Sequence, residues 1–287
     1  MNAFFVDLKK NIISPKFCIS ILLMVLLCLL ADAPSVSARE PLSIFDEIIK
    51  MRKDVWLDKG IDFSAPAVFY RFDNSLWYDI VLPIIAAFPV VYHFHDEWFG
   101  ESYIMTLSRC GYKKYTFSKL SAAFVSGFMT AIIGIAVFGV TIFCIFPSVN
   151  DFTDAGDWYY GGIYASSMHA IFAKGLNHAL VCGMYALSSI FICLLLKDKF
   201  FTLSIFMVFN FFSMKLEIKF TNSVLFTNER YRALRVLFPG SQTEIHSIFP
   251  SELHISFYWY IMSIIVVCVV MSIISYRIIK RRYKYAS

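Results

Sequence analysis

Charge is scarce in this chain. Asp, Glu, Lys and Arg make up 16% of its 287 residues, 58% are hydrophobic and the mean hydropathy is +0.63. An ordinary soluble domain carries roughly 25% charged residues. A soluble fold of this size could not hide so much apolar surface, so lipid must cover much of it. Cysteine pairing signals are also missing. The chain has seven cysteines and no CxxC. Cys110 falls in a polar stretch, and Cys18, Cys28, Cys144, Cys182, Cys193 and Cys268 fall in or at the edge of apolar runs. This excludes a disulfide framework and reads them as small apolar fillers. No GxxxxGK[ST] occurs, so the chain has no phosphate-cradling loop. There is no HExxH, no basic stripe suited to nucleic acid, no internal repeat and no low-complexity tract.

What is present is a series of apolar blocks. A bilayer core needs about 20 apolar residues per helix, within a range of roughly 17–25. The first block runs from Ile12 to Ala31, and the second from Tyr78 to His93 with Pro83 and Pro89 inside it. The third, Leu120 to Phe146, is long enough to cross with tilt, and the fourth spans Ile171 to Leu196. The fifth, Phe200 to Met214, is short, and the sixth covers Ser256 to Tyr276. The expectation is an all-α integral membrane protein with six transmembrane helices in one domain, 1–287.

Charge orients it. With the N-terminus inside, the inner pieces hold Lys9, Lys10, Lys16, Arg109, Lys113, Lys114, Lys119, Lys197, Lys199, Arg277, Lys280, Arg281, Arg282 and Lys284. Against these stand only Asp7, Asp96, Glu97, Glu101 and Asp198. The outer loop 147–170 has Asp151, Asp154 and Asp157 and no Lys or Arg. This is the positive-inside pattern, and it places both termini in the cytoplasm. Lys9, Lys10 and Lys16 before the first block and Ser35-Val36-Ser37-Ala38 after it resemble a cleavable secretory signal. Ile12 and Ile13 extend the block beyond a short signal core, so it reads as a retained helix. The Phe-, Ile- and Lys-rich usage points to the plasma membrane of a low-GC bacterium.

Two outer segments stand out. In 32–77, Leu42, Ile44, Phe45, Ile48, Ile49 and Val55 have rough helical spacing, which predicts a small helical cap. Residues 215–256 are broken by Pro239-Gly240 and Pro250. Phe220, Val224, Leu225 and Phe226 suggest a re-entrant dip, which requires burial by protein.

On the inner side, residues 1–16 form an amphipathic segment. Phe4, Phe5, Leu8 and Ile12 lie near one face, and Asp7, Lys9 and Lys10 lie away from it. Such a helix can lie in the headgroup layer, with Ser14-Pro15 turning the chain into the first crossing. The stretch 93–115 is the most informative. Glu97 and Glu101 are four apart and share a helix face. A basic strip of Arg109, Lys113 and Lys114 follows. The spacing predicts a cytoplasmic helix over 96–109 that a soluble partner could read.

These residues resemble the transmembrane subunit of type-2 ATP-binding-cassette (ABC) exporters. In that family the segment between the second and third helices carries an acid, a Gly and a basic turn, and a Lys opens the third helix. The matching residues are Glu97, Gly100, Glu101, Arg109, Lys113, Lys114 and Lys119. The N-terminal amphipathic helix, the six-helix count and the re-entrant region also agree. The motif covers about 25 residues and the architecture most of the chain; the long 32–77 loop departs from the family's minimal pattern. The resemblance implies that two permease subunits, identical or different, pair around a translocation pathway. Two cytoplasmic ABC ATPase subunits, which carry ATP-Mg, would dock on the 96–109 coupling helix. The chain itself would bind no cofactor or metal and would not be an enzyme. Glu97, Gly100, Glu101 and Arg109 are the ATPase-coupling candidates.

Two other readings compete. One is a non-enzymatic immunity or sensor protein, which shares every bulk feature except the acidic loop helix. The other is an intramembrane metallohydrolase using His93, His95, Asp96, Glu97, His169 and His178. Its ligand spacing is wrong, because His93 and His95 would point apart on a helix. Polar groups inside the membrane mark pathways or interfaces. Asp79, Lys174, His178 and Asn210 are those groups here; Asp79 and Lys174 lie near the outer surface and suit snorkelling or an ion pair. Asn210 and His178 are therefore pathway or interface candidates. The lack of buried charge suits an apolar or amphipathic cargo such as a peptide, lipid or drug.

Overall fold

Every apolar block becomes a helix, because a segment in lipid must satisfy its own backbone donors and acceptors. A computed structural model describes residues 3–33, 42–50, 63–100, 102–146, 167–221 and 257–286. Among them the chain is all helical apart from one isolated bridge, Asp32 with Ser43. The helices are α1 (Ala3–Ile12), α2 (Pro15–Leu29), α3 (Ile44–Lys50), α4 (Ala65–Tyr70), α5 (Leu76–Phe99), α6 (Ser102–Ile145), α7 (Ser167–Leu195), α8 (Lys199–Thr221) and α9 (Phe257–Ala286).

Four helices, α5, α6, α7 and α9, are long and apolar enough to cross a membrane. The pair α1–α2 qualifies as a fifth span if its 57° bend is counted within one crossing, and α8 contributes a shorter apolar stretch, Lys199–Ser213. The bend has a local cause. Ser14 caps α2 by accepting from the Phe17 amide at 3.2 Å and donates its own hydroxyl to the Asn11 carbonyl at 2.8 Å. Pro15 then occupies the first turn of α2, where a missing N–H costs nothing. Pro83 and Pro89 sit inside α5, which continues through both.

The helix α7 is central. It packs against α4, α5, α6, α8 and α9, and 78% of its apolar span is buried, against 17% for α9. Its contact with α6 is close because the facing residues are small. A Cβ added at Gly127 would meet the Cys182 carbonyl oxygen and the Ala186 Cβ, each at 2.5 Å. The outward faces are apolar: Ile19, Leu22, Leu23, Leu26 and Leu30 on α2, and Met262, Val266, Val269 and Ile273 on α9. That is the pattern lipid requires.

The same inversion governs α1. Asp7, Asn11 and Ser14, spaced four and three apart, are the buried residues, and Phe5 is 60% exposed. Of its polar residues, Asp7 and Asn11 face the bundle, and Lys9 and Lys10 stay exposed. At a membrane surface the apolar edge has lipid to meet, so the polar edge can seek partners within the protein.

The expected 96–109 helix is divided. Asp96–Phe99 is the last turn of α5, capped at Gly100, whose amide donates to the Asp96 carbonyl at 3.0 Å. A new helix starts at Ser102 and is broken at Gly111, where φ is 73°. A Cβ disfavours that left-handed conformation, so glycine suits the break. As one straight rod the 44 residues of α6 would run about 66 Å, roughly twice the hydrocarbon core. The break turns 102–110 into a separate arm.

The cap expected within 32–77 is present in part, as α3 and α4. The Ala33 amide donates to the Leu42 carbonyl at 2.8 Å and the Asp32 amide to the Asn74 carbonyl at 3.0 Å, which fastens the ends of this segment together. Ser43 and Asp46 cap α3 reciprocally, and these hydrogen bonds hold the half-buried Asp46 carboxyl below its ordinary value. The helix α4 is wholly buried, with Phe69 against Phe138. The re-entrant region foreseen at 215–256 lies, from residue 222 onward, outside the described residues.

Candidate functional site

Lys119 opens the membrane-embedded part of α6 and is 8% exposed. A lysine there needs anionic partners, because removing an ammonium from water costs several kcal/mol even after relaxation. Two are supplied by different elements. Asp7 Oδ1 of α1 lies 2.6 Å from Lys119 Nζ, and Glu97 Oε2 from the last turns of α5 lies 2.5 Å away. Ser118 donates its hydroxyl to the other Asp7 oxygen. Thus α1, α5 and α6 are tied at one point, and the ties reach 112 residues along the chain.

The cluster holds two carboxylates and one ammonium. Glu97 Oε1 and the Tyr115 hydroxyl are buried beside it without a well-formed hydrogen bond, and His93 Nε2 is in the same condition. A cavity of about 360 Å³ adjoins the cluster, lined by Asp7, Asn11, His93, Glu97 and Lys119 among others. A cleft of about 880 Å³, which shares Asp7, Lys10, Glu97 and Thr106 with that cavity, lies between α1, the 102–110 arm and the first turns of α6 after Gly111.

Further ties converge on the same end of the bundle. Asp96 pairs with Lys199 of α8. His95 Nε2 lies 2.6 Å from the Lys197 carbonyl, which joins α5 to the α7–α8 turn. The Arg282 guanidinium of α9 sits 5.0 Å above the Trp98 ring, and Trp98 stacks near Tyr103 of the arm. The helices α1, α6, α8 and α9 and the α7–α8 turn are therefore all tied to the last two turns of α5.

Of the coupling candidates, Glu97 is in the cluster and Gly100 ends α5. Arg109 is exposed on the arm and lines the larger cleft. Glu101 lies outside the described residues. Asn210, on α8, donates to the Asp79 carbonyl at 2.8 Å and to the Tyr185 hydroxyl at 3.1 Å. Its amide links α8, α5 and α7 within one chain.

His178 belongs to a second cluster at the opposite end. Asp73, in the turn before α5, binds Lys174 Nζ at 2.6 Å with one oxygen and His178 Nε2 at 3.1 Å with the other. Lys174 also donates to the Tyr70 carbonyl and lies 4.2 Å from the Tyr70 ring and 5.0 Å from the Phe72 ring. His178 Nδ1 is 3.3 Å from the Tyr78 hydroxyl. Burial alone would raise the Asp73 carboxyl; Lys174 and His178 reverse that and hold it well below the carboxylate range.

Two residues that matter here escaped sequence reading, Asp7 and Asp73. Asp7 is the lone acid of a basic N-terminus, and Lys174 needed an anion; both were available signals. Among the described residues, no three His, Cys, Asp or Glu side chains gather as a metal site. No family model matches the chain, and no curated protein matches it in sequence. The functional reading therefore stands on this geometry and on the residue pattern around it.

Proposed function

We propose that this chain is the membrane-spanning permease subunit of an ATP-driven exporter of the type-2 ABC kind. In this reading it crosses the plasma membrane six times, with α1–α2 as one crossing and α8 as another, and both termini are cytoplasmic. A separate ATPase docks on the arm at 102–110 and the adjacent end of α5. The observation that carries the reading is the Lys119 junction. It links the surface helix α1, the end of α5 and the start of the embedded α6, so a push on the arm would be passed to three elements together. Exposed Ile104 and Met105 give the arm an apolar face for a partner. The cargo is an apolar or amphipathic molecule, and a second permease subunit completes the pathway.

The test is a pull-down of the full chain in mild detergent from its native membrane. A stoichiometric Walker-motif ATPase supports the reading; its absence, under conditions that keep control transporters intact, removes it. With the complex in hand, Glu97→Gln and Glu101→Ala should each lower transport-coupled ATP hydrolysis while insertion is unchanged.

A further inference from the structure

The larger cleft shares Met105 and Arg109 with the arm of the exporter reading, and its composition points to a ligand of its own. Its walls are α1 on one side and the 102–110 arm on the other, and its floor is the first turns of α6 after Gly111. One basic side chain comes from each: Lys10 from α1, Arg109 from the arm and Lys114 from the floor. All three are exposed, and none forms an ion pair among the described residues. The two acids that reach the cleft, Asp7 and Glu97, are already engaged by Lys119. The rest of the lining is largely apolar, with Phe4, Val6, Met105 and Phe117, beside the hydroxyls of Thr106, Ser118 and Ser121. Met105 is 71% exposed and Phe117 74%, so this apolar strip continues out to the surface.

Three exposed cations lining a largely apolar cleft of about 880 Å³ match one kind of molecule. We propose that this cleft binds an anionic phospholipid. The phosphodiester sits among Lys10, Arg109 and Lys114, and an acyl chain lies along Phe4, Met105 and Phe117. An arginine fork suits phosphate oxygens, and lysine adds a point charge. Basic pockets at the ends of membrane helices recognise headgroups by this combination. A free phosphate would use the cations and leave the apolar lining bare; a zwitterionic lipid would fill the lining but bring no net charge to the cations. The inference does not depend on the exporter reading and would stand if no ATPase bound.

The experiment uses the purified full chain in mild detergent. Thermal unfolding is followed with added phosphatidylglycerol, phosphatidylcholine or soluble glycerol 3-phosphate, and bound lipid is counted by native mass spectrometry. Phosphatidylglycerol should raise the Tm by roughly 3–5 °C more than phosphatidylcholine, as expected for a ligand at about 100 times its Kd. One lipid per chain should be retained, and the difference should shrink as salt rises. Lys10→Gln/Arg109→Gln/Lys114→Gln should abolish the preference while the Tm in phosphatidylcholine is unchanged. A control triple variant at the same end, Lys9→Gln/Lys197→Gln/Arg281→Gln, should keep it. Equal loss in both variants would reduce the effect to general surface charge and overturn the proposal. So would an equal Tm rise from glycerol 3-phosphate, which would mark a phosphate site without a lipid. The salt series on the unmodified chain gives an answer even if the triple variant does not fold.

Discussion

Two buried charge clusters hold the two ends of this bundle, and they are built on opposite plans. Around Asp73 one carboxylate is shared between Lys174 and His178, each on its own oxygen, and aromatic rings enclose the group. Around Lys119 one ammonium is shared between two carboxylates, with Glu97 Oε1 short of a well-formed hydrogen bond and a cavity alongside. The first arrangement is saturated. It fastens the 63–75 segment onto α7 and has no spare acceptor. The second has an excess acid and room beside it, so its partners can be exchanged at lower cost. A clamp at one end and an adjustable junction at the other is what a bundle needs if only one end is to move.

Several substitutions separate the two plans. The largest effect belongs to the clamp. Lys174→Met leaves Asp73 buried without its ammonium, and breaking such a pair costs about 3–5 kcal/mol. Thermal unfolding in detergent should show the largest Tm loss of the set. Lys119→Met should cost less, about 2–3 kcal/mol, because water can enter the adjoining cavity and solvate Asp7 and Glu97. Equal losses for the two variants would erase the distinction drawn here.

Acid sharpens the contrast. The folded Asp73 carboxyl titrates below its unfolded value, so its contribution is complete above about pH 4 and is lost as pH falls further. At pH 3 the loss is about 1 kcal/mol, from an unfolded value of about 3.9. Comparing Tm at pH 7 and pH 3, unmodified protein should lose more than Asp73→Asn. The smallest effect on stability is expected from Asp7→Asn, under about 1 kcal/mol, because Lys119 keeps Glu97. If an ATPase is recovered, this variant should still lower coupled hydrolysis, since it frees α1 from the junction.

The helices were legible and the junctions were not. Each apolar block marks a helix, because the requirement for some 20 apolar residues acts locally. The observed ends run past the blocks: α5 continues from His93 to Phe99 and α9 from Tyr276 to Ala286. A helix does not stop where the lipid stops; it stops at a cap, here Gly100. The bend at Ser14-Pro15 was readable for the same reason. The partnership of Asp7 with Lys119 was not, because the contact joins residues 112 apart and no local pattern records it. The side of α1 that meets the protein was not readable either. Hydrophobic periodicity gives the axis of an amphipathic helix, but which edge faces the protein depends on whether the other side is water or lipid.

The distance between Asp7 and Lys119 has a consequence for how the protein is made. The helix α1 leaves the ribosome well before α6, and the buried Asp7 carboxylate has no ammonium until Lys119 has been translated. At about 5–20 residues per second, the 112 intervening residues take roughly 6–22 s. During that interval α1 has only its Phe4 and Phe5 edge with which to hold the membrane. Asp7 closes onto Lys119 later, so α1 is synthesised well before the contact that locks it can form.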